Sequence, residues 1–399
     1  MRRTMLLAGI LGALIPGPPP AHADPDVHYQ GLRIAVPAGW EVHRLGPRST
    51  DCLRFDRHAI YLGPAGDNQF CPAHAVGRTT AIHVEPLTAQ TNAFVTALMG
   101  NKDRADSGRP PGLRVHDRAA HEIRIAVPEA GALITGSYGP SPQELERVLA
   151  GITVDPPPAE GATERHTGTA HRRPWVRGDG FDTCHAPSLD AMQAWHGDFV
   201  AANIYIGGAS RSCPDGKLSH DWVAAVRSMG WRLIPTYVGP QAPCGPHRVN
   251  FTPDSAVDDA RASAEDAVRR AHLLGLRRHT PIYFDMEAYG RHDPVCREAV
   301  LAFMDTWTRR LRALGYVPGI YSSVASGIRD LAQAKGIKKP TAVWFAHWDA
   351  KPDPWGDRYI ADDSWPGHRR IKQYRGDHLE THGGYALNID SDAVDGYVR

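Results

Sequence analysis

The sequence predicts an α/β protein: a small mixed α+β domain, then a TIM-type (β/α) barrel whose helices thin out after the last strands. Three observations point there. From residue 176 onward, apolar strand-like runs alternate with stretches of helical period, and this rhythm lapses after the fifth helix. No glycine-rich phosphate loop follows the first of these strands, which argues against an open dinucleotide-binding sheet. Upstream, residues 153–175 read "TVDPPPAEGATERHTGTAHRRPW", a composition of Pro, Gly, Thr and charge without apolar period, as in a linker.

In chain order, residues 1–23 have the form of an export signal. Arg2 and Arg3 precede the apolar run Met5–Ile15, and Ala21-His22-Ala23 is an A-x-A cleavage motif, so the mature chain is expected to start at Asp24. The paired arginines fit the twin-Arg route as well as the general one. No stretch is long enough for a membrane span, and the expected location is secreted or extracytoplasmic. Residues 24–152 form the small domain. "LRIAVPAGWEV", "HAIYLG" and "TTAIHVEPL" read as strands, and "SPQELERVLAGI" as a helix with Ser141 as its cap. His58, His74 and His83 are scattered through it and read as surface or hydrogen-bonded core residues, with no catalytic constellation.

The barrel region spans 176–399. "GDGFDTC", "ANIYIGG", "WRLIPTYVG", "PIYFDME" and "YVPGIYSS" are its first five strands, each followed by a helix. Ala260, Ala264, Ala267, Val268 and Ala271 share one face of the third helix, and Val300, Met304, Trp307, Leu311 and Leu314 stripe the fourth. "TAVWFAHW", "RRIKQY" and "YALNID" read as strands six to eight, separated by loop.

An apolar share of 42% with 22% charged residues is that of a globular chain, and a net charge of +1 offers no nucleic-acid footprint or polybasic membrane patch. The six cysteines, Cys52, Cys71, Cys184, Cys213, Cys244 and Cys296, form no CxxC pair. In an exported chain they read as disulfides rather than zinc ligands. Cys52–Cys71 is the simplest bridge, with two more among the later four, whose pairing stays open. No metal and no cofactor is expected.

The chemistry concentrates at strand ends. Side chains alternate along a strand, so Tyr283, Asp285 and Glu287 share one face and Ile282, Phe284 and Met286 the other. In a barrel the first set points inward, with Glu287 at the C-terminal rim, where such barrels place their sites. Asp182 ends the first strand and Asp390 the eighth. Tyr205, Tyr237, Tyr321, Trp344, Trp348 and Gln373 lie near other strand ends. Acids ringed by aromatics suit a sugar: rings stack on its apolar faces, and carboxyls bond hydroxyls or do acid–base work. Asp392 and Asp395 read as turn or cap residues.

Together "GFDTCHAPS", "IYIGG", "PTYVGPQAPC", "PIYFDMEAY", "GIYSS" and "IKQY" resemble an actinobacterial glycoside-hydrolase-like domain of unknown function, related in fold to the family-25 lysozymes. The resemblance covers about residues 176–399. It implies Glu287 as general acid to the leaving sugar oxygen and Asp285 as the group that orients substrate or water. Asp182 and Asp390 would stabilise developing positive charge or tune Glu287. It implies a peptidoglycan-type polysaccharide as partner. The sequence departs from the lysozymes at "WFAHWD", where His347 and Trp348 replace an arginine and an aromatic. Two functions fit: a glycan hydrolase, or a non-catalytic carbohydrate or cell-envelope binder on the same barrel.

Overall fold

The computed structural model describes residues 26–46, 49–65, 71–88, 110–154, 174–290 and 292–399. The expected export signal lies outside the described residues, as do residues 155–173 of the expected 153–175 linker; its two ends belong to strands, Thr153–Val154 and the strand that begins at Trp175.

The N-terminal region contains two sheets. Strands β1 (Asp26–Tyr29) and β2 (Leu32–Ala35) pair with β9 (Thr153–Val154). The second sheet has six strands: β3 (Glu41–Arg44), β4 (Ala59–Leu62), β5 (Ala81–Pro86), β6 (Leu113–Asp117), β7 (Glu122–Val127) and β8 (Ala132–Ser137), ordered β3-β4-β5-β8-β7-β6. Helix α1 (Gln143–Ala150) lies on this sheet, burying Leu145 and Leu149 with Ile82, Ile123, Ile125 and Ile134. Its N-cap is Pro142, without a side-chain cap, rather than Ser141.

Residues 175–397 close an eight-stranded barrel. In order these are β10 (Trp175–Asp182), α2 (Leu189–Trp195), β11 (Ala201–Gly207), α3 (His220–Met229), β12 (Arg232–Tyr237) and α4 (Ala256–Leu273). There follow β13 (Pro281–Asp285), α5 (Pro294–Ala313), β14 (Val317–Ser323), α6 (Gly327–Gln333), β15 (Ala342–Ala346), β16 (Arg370–His382) and β17 (Tyr385–Tyr397). Local chemistry sets these boundaries. Ser188 and Ser219 cap α2 and α3, and Gly230 ends α3 in the left-handed conformation at φ 118°. The Asp293 carboxylate accepts the free Val295 and Cys296 N–H groups at the start of α5. Asp293→Ala should therefore cost about 1 kcal/mol, read as a lowered unfolding midpoint in urea.

The barrel is not wholly parallel. β10 to β16 pair in parallel, but β17 runs antiparallel to both β16 and β10. The cause is the turn His382-Gly383-Gly384-Tyr385, whose glycines have φ 56° and 86°. A two-residue hairpin can join only antiparallel strands. Asp390 thus lies within a strand that continues to Tyr397, opposite Asp182 in the ladder, and does not end it. Asp392 and Asp395 are likewise strand residues, not caps. The first accepts Trp344 Nε1 at 2.7 Å inside the barrel, and the second accepts Trp355 Nε1 at 2.9 Å.

Two layers of side chains fill the space around β13. Phe284 packs outward on Phe303 and Trp307 of α5, whereas Tyr283 points inward, edge-on to Trp344. Disulfides join Cys52–Cys71, Cys184–Cys213 and Cys244–Cys296. The first fastens the segment that crosses from the N-terminal region to the barrel mouth. There Gly77 N–H donates to Ser210 O at 2.9 Å, Phe55 N–H to Ser212 O at 3.1 Å, and Ala73 N–H to the Asp377 carboxylate at 3.1 Å.

Candidate functional site

The site is built on β10, β11, β13, β14, β16 and β17. Gln373 of β16 is its hub. Its amide nitrogen donates to Asp182 Oδ2 at 2.9 Å and to Asp390 Oδ2 at 3.0 Å. Its oxygen accepts Tyr321 Oη at 3.0 Å and Trp348 Nε1 at 2.8 Å. Asp182 also accepts Tyr205 Oη at 3.3 Å, and Asp390 accepts the Asp377 N–H. Across the mouth, Gln241 ties down the end of β13. It donates to Asp285 O and accepts the Glu287 N–H, both at 2.8 Å. Tyr321 lies among all four acids, and its hydroxyl is raised well above its ordinary pKa by burial and then by Glu287, Asp285, Asp182 and Asp390. The structure thus brings the four predicted carboxyls around one ring.

The predicted aromatics divide. Tyr205 and Tyr321 stand between the acids. Trp344 lies buried beneath them, its ring 4.7 Å from that of Tyr321. Trp348 is 62% exposed at the mouth, and a Cβ on Gly376 would sit 2.5 Å from its indole, so only glycine leaves the ring its place. Tyr237 is a correction. Its hydroxyl donates to Asp266 of α4 at 2.8 Å, and its ring lies among Phe284 and Trp307 in the outer layer. Strand alternation explains this: Thr236, its neighbour, holds the inward position and accepts Asn203 Nδ2 at 2.7 Å.

His74 was not expected here. It belongs to the N-terminal region, yet its Nε2 lies 2.5 Å from Glu287 Oε1 and 3.5 Å from Asp285 Oδ2. Its Nδ1 lies 2.6 Å from Tyr205 Oη. Alanines flank it in "CPAHA", and the Cys52–Cys71 bridge pins the chain three residues before it. No local pattern in the sequence marks such a residue. With His74 in place Asp182, Asp285 and Gln373 have no exposed surface, and the Glu287 side chain keeps 23%.

The electrostatics follow. Burial opposes charge on His74, but Asp285 and Glu287 outweigh it and hold its pKa well above the imidazole value. Burial pushes Glu287 up, and the His74 charge and hydrogen bond override it, leaving Glu287 below its ordinary range. Burial, with Glu287 adding, carries Asp285 up to about 8. Asp182 is raised well above its usual value by burial and by Asp390. Asp392 is raised well above by burial and by Asp182, and burial lifts Asp390 to about 6.

A pH dependence of stability follows from Asp182, Asp390 and Asp392. Their pKa values rise on folding. The stability they contribute is fully present below the unfolded carboxyl value of about 4, and is lost as pH climbs through the folded values. Glu122, Asp117 and Asp215 are depressed by arginines, so their contribution fails only as pH falls below about 4. The thermal midpoint should therefore be higher at pH 5 than at pH 8. Asp392→Asn, a neutral isostere, should raise the midpoint at pH 8 with little change at pH 5. A midpoint that rises from pH 5 to 8 in the parent chain contradicts this.

A closed barrel with a cluster of carboxyls and aromatics at one mouth defines a glycoside-hydrolase-like protein. The Rv2525c-like, glycoside hydrolase-like domain matches residues 193–394, just over half of the chain, and the chain belongs to that family. Solved structures similar to it include the catalytic domain of endolysin Ply40 from bacteriophage P40 of Listeria monocytogenes. That pair is 12% identical over 55% of this chain and 93% of the other, with TM-score 0.34. A family GH25 lysozyme from Aspergillus fumigatus is 16% identical over 55% of this chain and 95% of the other, TM-score 0.34. The modular autolysin LytC from Streptococcus pneumoniae is 12% identical over 70% of this chain and 57% of its own, TM-score 0.37. No curated protein matches the chain. Among the described residues no helix is long and apolar enough to cross a membrane.

Proposed function

We propose that the protein is an exported hydrolase of peptidoglycan-type cell-wall glycan, with Glu287 as general acid, and that the structure is its resting form. The observation that carries this reading is the gathering of Asp182, Asp285, Glu287 and Asp390 around Tyr321 at one barrel mouth. Glu287 is the carboxyl with exposed surface, so it is the one placed to meet a glycosidic oxygen. Asp285 beside it would orient the substrate, and Asp182 and Asp390 would face developing positive charge. Trp348 offers an exposed ring for stacking on a sugar face. Three disulfides and the N-terminal export signal suit work outside the cytoplasm. The test is a panel of peptidoglycan and chitin-type glycans incubated with the mature chain, with product analysis of released reducing ends.

His74 makes this a resting form. It occupies the space beside Glu287 that a leaving oxygen would need. Glycan entry then requires the Cys71–Val76 segment to lift. His74→Ala removes the charge-assisted bond and should raise turnover by about tenfold or more, in proportion to the open fraction. Unchanged or lower turnover in His74→Ala, at unchanged fold, removes the gating role.

The same contact favours a second reading, a non-catalytic glycan binder. A Glu287 held by an imidazole nitrogen is a poor proton donor. Glycan binding that survives Glu287→Gln, with no product from any member of the panel, selects this reading.

A further inference from the structure

We infer that His74, Asp285 and Glu287 form a divalent-cation site that staples the N-terminal region to the barrel mouth. One ligand atom from each, His74 Nε2, Asp285 Oδ2 and Glu287 Oε1, lie within 4.8 Å of one another. An imidazole with two carboxylates is a donor set suited to zinc and related first-row ions.

A separate observation points to the cation. Asp285 is wholly buried, and neither carboxylate oxygen accepts a hydrogen bond from any described residue. A buried carboxyl without donors is costly, and native structures rarely leave one so. His74 relieves it only in part, as an ion pair at 3.5 Å without a hydrogen bond. Nε2 carries at most one proton, and that proton lies on the short line to Glu287. A cation between the three groups serves all of them at once. Asp285 then gains a direct ligand bond in place of the 3.5 Å ion pair alone.

The surroundings are those of a ligating histidine. Such a residue holds its other ring nitrogen against a fixed acceptor, which sets the tautomer. Here Nδ1 faces Tyr205 Oη at 2.6 Å, and that hydroxyl donates onward to Asp182 at 3.3 Å. Nδ1 thus keeps its proton toward Tyr205, and displacement of the Nε2 proton by an incoming cation would leave a lone pair directed at the two carboxylates. Donor atoms around a tetrahedral zinc lie about 3.3 Å apart. The His74–Asp285 separation of 3.5 Å already matches that. The His74–Glu287 contact must open by a fraction of an ångström, which the part-exposed Glu287 side chain can supply. A second cluster, His347, Asp349 and Asp357, makes a contrast. There Lys372 Nζ lies 2.8 Å from Asp349 and 3.5 Å from Asp357, so a cation of the chain's own already serves those acids.

The inference stands on this geometry and does not require glycan hydrolysis. With the cation bound, Glu287 is a ligand and gives no proton, so the ion stabilises the closed form. The test uses the mature full-length chain, stripped with chelator and titrated with ZnCl₂ by calorimetry, with MnCl₂ and CaCl₂ as further arms and no glycan present. A single saturable zinc site of micromolar or tighter Kd is expected. His74→Gln and Asp285→Asn should each weaken it by about a hundredfold, and His347→Ala should leave it unchanged. Cobalt in place of zinc should give the visible absorption of a four- or five-coordinate ion, lost in both site variants. Circular dichroism confirms that each variant is folded, and the two substitutions back each other should one fail to fold. Absence of saturable binding below millimolar zinc overturns the site. So does binding that survives both variants or disappears with His347→Ala. Failure of the glycan panel bears only on the hydrolase reading, because the zinc titration contains no sugar.

Discussion

Glu287→Gln should lower release of reducing ends from a susceptible cell-wall glycan by about 10²–10⁴-fold, the span of a positioned general acid. The substitution preserves volume and both hydrogen-bonding positions. Gln can still receive the His74 nitrogen through its oxygen, and its backbone N–H still reaches Gln241. What it loses is the transferable proton. The folded state should be kept, because Glu287 sits just beyond the end of β13 and contributes no core packing. Thermal unfolding and near-ultraviolet circular dichroism check that point. The loss should fall on kcat more than on KM, since a proton given to the leaving oxygen matters only in the transition state. Asp285→Asn serves as comparison: an orienting carboxyl touches bound substrate, so its loss should alter KM as well. Undiminished product release by Glu287→Gln sinks the acid assignment, and a drop confined to KM makes Glu287 a binding residue.

The parity of β13 was legible because alternation in a strand is a rigid geometric rule. Asp285 and Tyr283 had to share a face, and an inward face with a carboxyl at its rim is unusual enough to mark chemistry. The same rule was available for Tyr237, where nearness to a strand end was the poorer guide. Position along the strand says how close a side chain lies to the mouth, and parity alone says whether it enters. Asp390 was legible as a barrel residue but not as an interior strand position. The missed signal was the Gly383-Gly384 pair between two strand-forming runs, which demands a hairpin and reverses the closing strand. That reversal carries Asp392 inward to Trp344. His74 was beyond reach for a different reason. It is placed by docking between regions more than a hundred residues apart, and pairing of that kind leaves no local period, cap or turn. The disulfide partners of the four later cysteines were hidden in the same way, since spacing does not say which loops meet at the rim.

The docking itself rests on buried charge, and Glu122 is where it is most exposed to a single change. Its carboxylate accepts Arg78 at 2.7 Å through one oxygen and Arg124 at 2.8 Å through the other. Arg124 continues to Asp215 at 2.8 Å, and Asp215 accepts Arg211 at 2.7 Å from the barrel side. Arg78 also donates to Arg211 O at 2.9 Å. Beside this chain, Asp117 of the N-terminal region is paired with Arg269 at 2.9 Å and Arg270 at 2.5 Å of α4. Glu122, Arg78, Arg211 and Arg270 are each at most 2% exposed, so water cannot compensate a missing partner. Burial alone would push Glu122 up, yet the arginines hold it well below its ordinary range, so the network stays ionised into acid. Glu122→Ala would leave the buried Arg78 guanidinium without its carboxylate and take from Arg124 one of its two carboxylate partners. Breaking a buried pair from one side costs about 3–5 kcal/mol, far more than the net worth of the pair itself. The expected result is a large fall in the guanidinium chloride midpoint. Glu122→Gln, which keeps one acceptor oxygen, should fall less. The region undocks before the barrel unfolds, because the barrel retains its own closed sheet and core. Limited proteolysis of Glu122→Ala should therefore cut between residues 71 and 79 while the barrel survives, and solvent should reach Asp285, which is otherwise wholly buried. A loss under about 1 kcal/mol, with the segment still protected, would mean that the apolar contacts and main-chain bonds at the interface hold the region in place without this network.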